Sequence, residues 1–98
     1  MLVYHLDSRT FERLTDFGSL PRWLPDSRRL VFNSEEGELF LVDSRTLAWH
    51  RLLSAGGARL SSAEVSRDGR WLYFVRVEAD SDIWLATFVR AQANDERR

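Results

Sequence analysis

The chain repeats itself, and this repeat constrains its fold more than any other feature. The tetrapeptide Asp-Ser-Arg-Thr begins at Asp7 and again at Asp43, 36 residues later. Segment 25–32 (PDSRRLVF) aligns with 67–74 (RDGRWLYF) at an offset of 42, and 39–41 (LFL) aligns with 83–85 (IWL) at an offset of 44. The offset grows while the order of the segments is kept, which indicates insertions in loops. The pattern predicts a fold built from units of roughly 40 residues.

The apolar segments of the chain are short and lie between turn-forming residues. They carry β-branched and aromatic side chains, which suit a pleated, half-buried surface. Asp68-Gly69 is a strong hairpin signal, because glycine accepts positive φ and aspartate bonds to the local backbone. Segment 47–53 is also compatible with a short helix. The predicted fold class is all-β, with strands near 3–6, 11–14, 20–24, 30–33, 39–42, 48–52, 62–65, 71–77 and 83–88.

Four short strands in a repeat of this length are typical of a β-propeller blade, which is a four-stranded antiparallel sheet. The chain holds about two blades. We expect a partial blade over 1–15, a full blade over 18–53 and a partial blade over 58–89, followed by a polar C-terminal tail over 90–98.

The repeated segments resemble the TolB-type, WD-like propeller repeat over nearly the whole chain. Its motif is matched at 23–28 (WLPDSR), 39–43 (LFLVD) and 13–15 (RLT), and again at 65–70 (VSRDGR) and 83–85 (IWL). Leu24, Ser27, Val65 and Arg67 stand where the family pattern has Ser, Gly, Trp and Pro. The resemblance implies blades whose strands run from A, lining the central channel, to D on the outside. The chain would then begin with strands C and D, continue with a complete A–D blade, and end with A, B and C.

Two blades cannot close a ring, so an apolar face should remain bare at each end. The residues expected on those faces, as packing surfaces for assembly, are Phe32, Phe40, Trp71 and Trp84. Either the chain belongs to a longer propeller, or several copies form a ring in which strands C and D of one copy complete the blade begun by A and B of another. A trimer would give about six blades and a tetramer about eight, within the usual range. Both 3–6 and 83–88 are predicted as strand C, so closure displaces one of them or leaves it at an extra edge.

Few residues suggest chemistry of their own. Trp23, Trp71 and Trp84 occupy packing positions of the repeat, which predicts that they are core residues. Trp49 lies on an outer strand and is the best candidate for a partner-facing aromatic. Arg22 and Glu64 align with each other in the repeat, and if strand A lines the channel, as the resemblance implies, they lie at its mouth. They are predicted either to bind a polar ligand or, as the preferred interpretation, to pair between blades.

Composition narrows the function classes. The net charge of −1 gives no basic field for nucleic acid, and the absence of cysteine excludes disulfides and thiolate sites. The two histidines, His5 and His50, lack metal-ligand spacing, so no metal or other cofactor is expected. No signal peptide or membrane span is expected. Localisation stays open, cytoplasmic by default or periplasmic if the chain is part of an exported parent.

The function predicted from these observations is a non-enzymatic propeller module that acts as a protein or ligand interaction scaffold and self-assembles. Two alternatives remain open. One is a detached propeller fragment of a prolyl-oligopeptidase-like peptidase, and the other is a fragment of a sensor kinase or regulator. Both rest on analogy of fold, which is a weak basis for function.

Overall fold

The computed structural model describes residues 1–78 and the backbone of residues 85–92. These residues form an all-β arrangement of three antiparallel sheets. The first sheet pairs β1 with β2, the central sheet has the order β3-β4-β5-β6, and the third has the order β7-β8-β9. The strands are β1 Leu2–His5, β2 Thr10–Arg13, β3 Ser19–Trp23, β4 Arg29–Asn33, β5 Leu39–Asp43, β6 Trp49–Leu53, β7 Arg59–Val65, β8 Trp71–Glu78 and β9 Leu85–Gln92.

The central sheet is buried on both faces, which explains why β4 and β5 read as nearly continuous apolar segments. Successive strand residues point to opposite faces. Leu30 and Phe32 therefore pack toward the first sheet, in a cluster with Leu14 and Val42. Val31 packs toward the third sheet, in a cluster whose other buried members include Leu39, Leu41, Leu60, Leu72 and Phe74. The core thus consists of two apolar layers, one on each side of the central sheet.

The sequence repeat is matched by a repeated backbone irregularity in β3 and β7. The β3–β4 register shifts between Ser19 and Arg22, and the β7–β8 register shifts between Ser61 and Glu64. Each irregularity contains a residue other than glycine at positive φ, Leu20 at 57° and Ser62 at 55°. A bulge of this kind bends a strand and re-aims the side chain that follows it. The same distortion 42 residues apart marks β3 and β7 as equivalent strands.

The last strand departs from the prediction. A strand was expected over 83–88, followed by a tail, but β9 spans Leu85–Gln92 and continues through three residues of the expected tail. Its register places Val89 opposite Phe74, whereas the match of 83–85 with 39–41 predicts that Trp84 takes that place. Trp84 itself lies outside the described residues. The physical reason is that β8 runs on to Glu78, so the β8–β9 hairpin closes further along the chain.

Candidate functional site

Arg22 and Glu64 meet between the central and third sheets. Arg22 Nε donates a hydrogen bond to Glu64 Oε2 at 3.2 Å, and both side chains are exposed. The two residues occupy equivalent places, each just beyond the bulge of its strand. The bulges therefore aim opposite charges at each other across neighbouring sheets, which is the mutual pairing preferred from the sequence.

An aromatic cluster lies between the first and central sheets. The ring centroid of Phe17 is 5.3 Å from that of Phe32, 5.1 Å from that of Phe40 and 4.9 Å from that of Trp49, in edge-on geometry each time. Edge-to-face contacts at this distance are favourable for aromatic pairs. Phe17 comes from the loop between β2 and β3, outside every repeated motif. The only sequence signal for its packing in this cluster is an aromatic residue within a turn.

The cluster corrects the expectation about bare faces. Phe32 has no exposed surface within a single copy, and Phe40 is half-buried. The prediction that Phe32 lies on a face left open is wrong, because Phe17 and the first sheet cover it from within the chain. Trp71 is half-buried on β8. Trp84 lies among the residues not described.

The bare surface lies instead on the first sheet. Val3 packs against the central sheet, so the alternate residues of β1 and their partners on β2 face away from it. Phe11 is 71% exposed and Leu6 is 81% exposed. We define the outer face of the first sheet as Leu2, Tyr4, Leu6 and Phe11, all large apolar residues exposed to solvent.

Tyr4 and Phe11 on this outer face match a pair in the central sheet. At the offset of the Asp-Ser-Arg-Thr motif Tyr4 corresponds to Phe40, and at the offset of 38 between Arg13-Leu14 and Arg51-Leu52 Phe11 corresponds to Trp49. Both pairs are in ring contact, with centroids 4.8 Å apart for Tyr4–Phe11, which lie directly opposite each other, and 5.7 Å for Phe40–Trp49, where Trp49 lies opposite Val42. Phe17 packs on Phe40 and on one side of Trp49, whereas no described aromatic ring packs on Tyr4 and Phe11 from outside their pair.

Two tryptophans are half exposed. Trp49, predicted to face a partner, is 50% exposed on β6 while one side of it contacts the aromatic cluster. Trp23 is 49% exposed, so its predicted place in the core is wrong within a single copy. It stands at the end of β3 and borders an open groove of about 960 Å³ beside the β1–β2 turn. His5 Nε2 and Glu12 Oε1, 3.1 Å apart, line the same groove.

An ion pair fixes the turns at one end of the central sheet. Arg28 Nε lies 3.0 Å and 2.9 Å from the two carboxylate oxygens of Asp43. The backbone N–H groups of Arg45 and Thr46 donate to Asp43 Oδ1. The hydrogen bond from Arg28, assisted by these backbone donors, lowers the pKa of Asp43 from 3.8 to about 2. The charge of Asp43 thereby holds the turn before β4 and the turn after β5 together.

Asp26 and Asp68 repeat one another in the turns that precede β4 and β8. The backbone N–H of Arg28 donates to Asp26 Oδ1, and that of Arg70 donates to Asp68 Oδ1. The hydrogen bond from the Ser66 hydroxyl lowers the pKa of Asp68. For Asp26, burial acts to raise the pKa, but the backbone donors Arg29 and Arg28 outweigh it and the pKa is lowered. These carboxylates are engaged in turn structure.

In the described part of the chain, no three histidine, aspartate or glutamate side chains lie close enough together to hold a metal ion. No helix among the described residues has the length and hydropathy to cross a membrane. No protein-family model matches the chain, and a search of curated proteins gives no match either.

Proposed function

We propose that this chain is a non-enzymatic β-propeller module that self-associates into a ring and serves as an interaction scaffold. The observation that carries the proposal is the outer face of the first sheet. Tyr4 and Phe11 are in ring contact there, as Phe40 and Trp49 are in the central sheet, but among the described residues no third aromatic ring packs on them. Exposed apolar clusters of this kind mark interaction surfaces.

The stacking of the sheets supports a second copy as the cover. The central sheet shows that both faces of such a sheet are apolar when each has a neighbour. The third sheet continues this pattern. Leu72 and Phe74 are buried toward the central sheet, while the alternate residues Trp71, Tyr73 and Val75 are half-buried on its far side. The outer face of the first sheet is an apolar surface at one side of the stack, and a closed head-to-tail ring of identical copies would cover it.

A trimer or a tetramer is the expected assembly, since two complete blades per copy give about six or eight blades. In such a ring Arg22 and Glu64 would alternate around the central channel. Trp49, half exposed at an outer strand, would be presented to a protein partner, because a rigid aromatic with one free side is favoured at interfaces. The carboxylates of Asp26, Asp43 and Asp68 are engaged with neighbouring side chains and with the backbone of their turns, which suits a structural module.

The test is the molar mass in solution, measured by light scattering during size-exclusion chromatography, for the wild type and for Phe11→Glu. Burial of a phenylalanine contributes about 2 kcal/mol. Losing it should weaken association by about 30-fold. Thr10→Glu is the matched control, because Thr10 is an exposed neighbour on the opposite face of β2 and should leave the mass unchanged.

A wild-type trimer or tetramer that Phe11→Glu dissociates supports the proposal. A wild type that remains a folded monomer at all concentrations contradicts it. An oligomer that withstands Phe11→Glu would show that association does not use the outer face.

A further inference from the structure

The two residues of the central ion pair, Arg28 and Asp43, each have a counterpart elsewhere in the repeat, and these counterparts lie apart from each other. Arg28 corresponds to Arg70 at the offset of 42, and Asp43 corresponds to Asp7 at the offset of 36. Arg28 and Asp43 are bound to each other. Within residues 1–78 the Asp7 carboxylate forms no ion pair, and neither does the Arg70 guanidinium; both residues are exposed. Asp7 lies in the turn after β1 and Arg70 in the turn before β8, and the central sheet packs between the sheets that hold these two strands.

The strands that carry these halves would pair in a defined register. In the central sheet Val31 lies opposite Leu41, and Phe32 lies opposite Phe40. The offset of 42 relates β4 to β8, and the offset of 36 relates β1 to β5. Together they place Tyr73 opposite His5 and Phe74 opposite Tyr4. The same operation brings Asp7 beside Arg70, as Asp43 lies beside Arg28. The repeat therefore specifies how β1 of one copy would add to β8 of another.

The faces of the two strands agree with this register. Phe74 on the third sheet is buried against the central sheet of its own copy. In the same way, Phe32 on the central sheet is buried against the first sheet. Tyr4 would join Phe74 on that face. Its exposed ring would then be covered by the partner's central sheet. A register shifted by one residue would instead turn every side chain to the wrong face.

The edge of β8 is held in the structure by β9, but not in the manner of the repeat. Gln92 lies opposite Trp71, where the central sheet has Asp43 opposite Arg29. β9 thus brings no carboxylate to the place beside Arg70. The segment that does carry the pattern of β5 is 3–7 (VYHLD), which matches 39–43 (LFLVD).

We propose that β1 and β2 of one copy join β7 and β8 of a second copy in one four-stranded sheet, with Asp7 bound to the partner's Arg70 and β9 displaced from the edge of β8. This proposal rests on the self-association proposed above and specifies which strands of the two copies pair. It also resolves the competition between the two C strands, since the N-terminal one takes the shared place.

Cross-linking tests the register, because the chain has no cysteine of its own. His5→Cys combined with Tyr73→Cys should give linked ladders of oligomers with a short thiol-specific reagent. His5→Cys with Val77→Cys is the matched control. Val77 lies on the same face of β8 but four residues further on, about 13 Å away at the usual rise of a strand. Strong links for the control and none for the first pair would overturn the register.

A disulfide lock tests the displacement of β9. Tyr73 and Arg90 are paired neighbours on β8 and β9, so Tyr73→Cys with Arg90→Cys should lock β9 in place when oxidised. We expect the oxidised protein to be monomeric and the reduced protein to assemble. Equal assembly in both states would refute displacement, while a wild type that never assembles would refute self-association itself.

Charge exchange tests the ion pair. Asp7→Arg and Arg70→Asp should each weaken association several-fold, and the double variant should restore it, because it recreates the pair with reversed sign. Asp7→Arg with Arg67→Asp is the control, since Arg67 is an exposed arginine in the same turn as Arg70 and should give no rescue. Equal rescue by both double variants would show that only net charge matters.

Discussion

Replacing Gly18 with alanine should destabilise the chain far more than the change of one methyl group suggests. Gly18 has φ of +101°, a conformation that residues with a Cβ rarely adopt. A Cβ at this position would lie 2.3 Å from Cδ2 and 2.5 Å from Cε2 of Phe32. The ring cannot easily retreat, because it is fully buried and stacks on Phe40 with centroids 5.8 Å apart.

The expected magnitude follows from two separate costs. The backbone conformation costs about 1–2 kcal/mol for a residue with a Cβ. Overpacking a fully packed core costs about 1–3 kcal/mol. The lower entropy of alanine in the unfolded chain offsets about 0.4–1 kcal/mol of this. We therefore expect Gly18→Ala to lower the free energy of unfolding by about 1–5 kcal/mol.

Two other glycines separate these costs. Gly56 has φ of +58°, and no heavy atom lies within 4 Å of the place that an alanine methyl group would take, so Gly56→Ala reports the backbone cost alone. Gly57 has open space and no positive φ, so Gly57→Ala should be neutral or slightly stabilising. The order of destabilisation should be Gly18, then Gly56, then Gly57.

Urea unfolding followed by tryptophan fluorescence measures these differences, at one fixed protein concentration because the proposed association would add to apparent stability. Phe32→Leu in the Gly18→Ala background should recover at least about 1 kcal/mol relative to additivity, since it removes the atoms that clash. If Gly18→Ala is no more harmful than Gly56→Ala, the packing of Phe32 against Gly18 is not as described.

Two further predictions concern polar groups. Because Arg28 lowers the pKa of Asp43 from 3.8 to about 2, the ion pair should stabilise the fold fully above about pH 4 and lose its effect as the pH falls toward 2. Asp43→Asn should flatten this part of a plot of unfolding free energy against pH, and an unchanged plot would show that the pair does not couple to folding. Asn33 Nδ2 donates to the Leu60 carbonyl at 2.6 Å in the buried layer, so Asn33→Ala should cost about 1–3 kcal/mol in urea unfolding. Ser54→Ala, at an exposed position, is its control and should change stability by less than about 0.5 kcal/mol.

Much of the strand order could be predicted, because the sequence repeats its turns as well as its strands. Asp26 and Asp68 bond the local backbone in the same way, and such turns fix where β4 and β8 begin. The apolar segment after the first of these turns predicted a strand over 30–33, and β4 spans Arg29–Asn33 with Val31 and Phe32 on opposite faces.

The remaining features depend on contacts that lie far apart in the sequence. Phe17 covers the aromatic cluster from a loop, and nothing in the local pattern of that loop says where its ring will pack. Trp23 matches a packing position of the repeat, yet it is half exposed where the first sheet has only two strands in the described chain. The register of β9 follows from the length of the β8–β9 hairpin, which the aligned motif does not determine.

The central sheet shows which contacts the repeated residues make when a four-stranded sheet is complete. It contains the ion pair of Arg28 and Asp43 and the covered aromatic pair of Phe40 and Trp49 within one copy. The first sheet carries the Asp7 half and an uncovered pair, and the third sheet carries the Arg70 half. The proposed joint between copies would complete both features, so Phe11→Glu and Asp7→Arg should weaken the same oligomer. They should do so to different extents, because burial of an aromatic ring contributes more than an exposed ion pair.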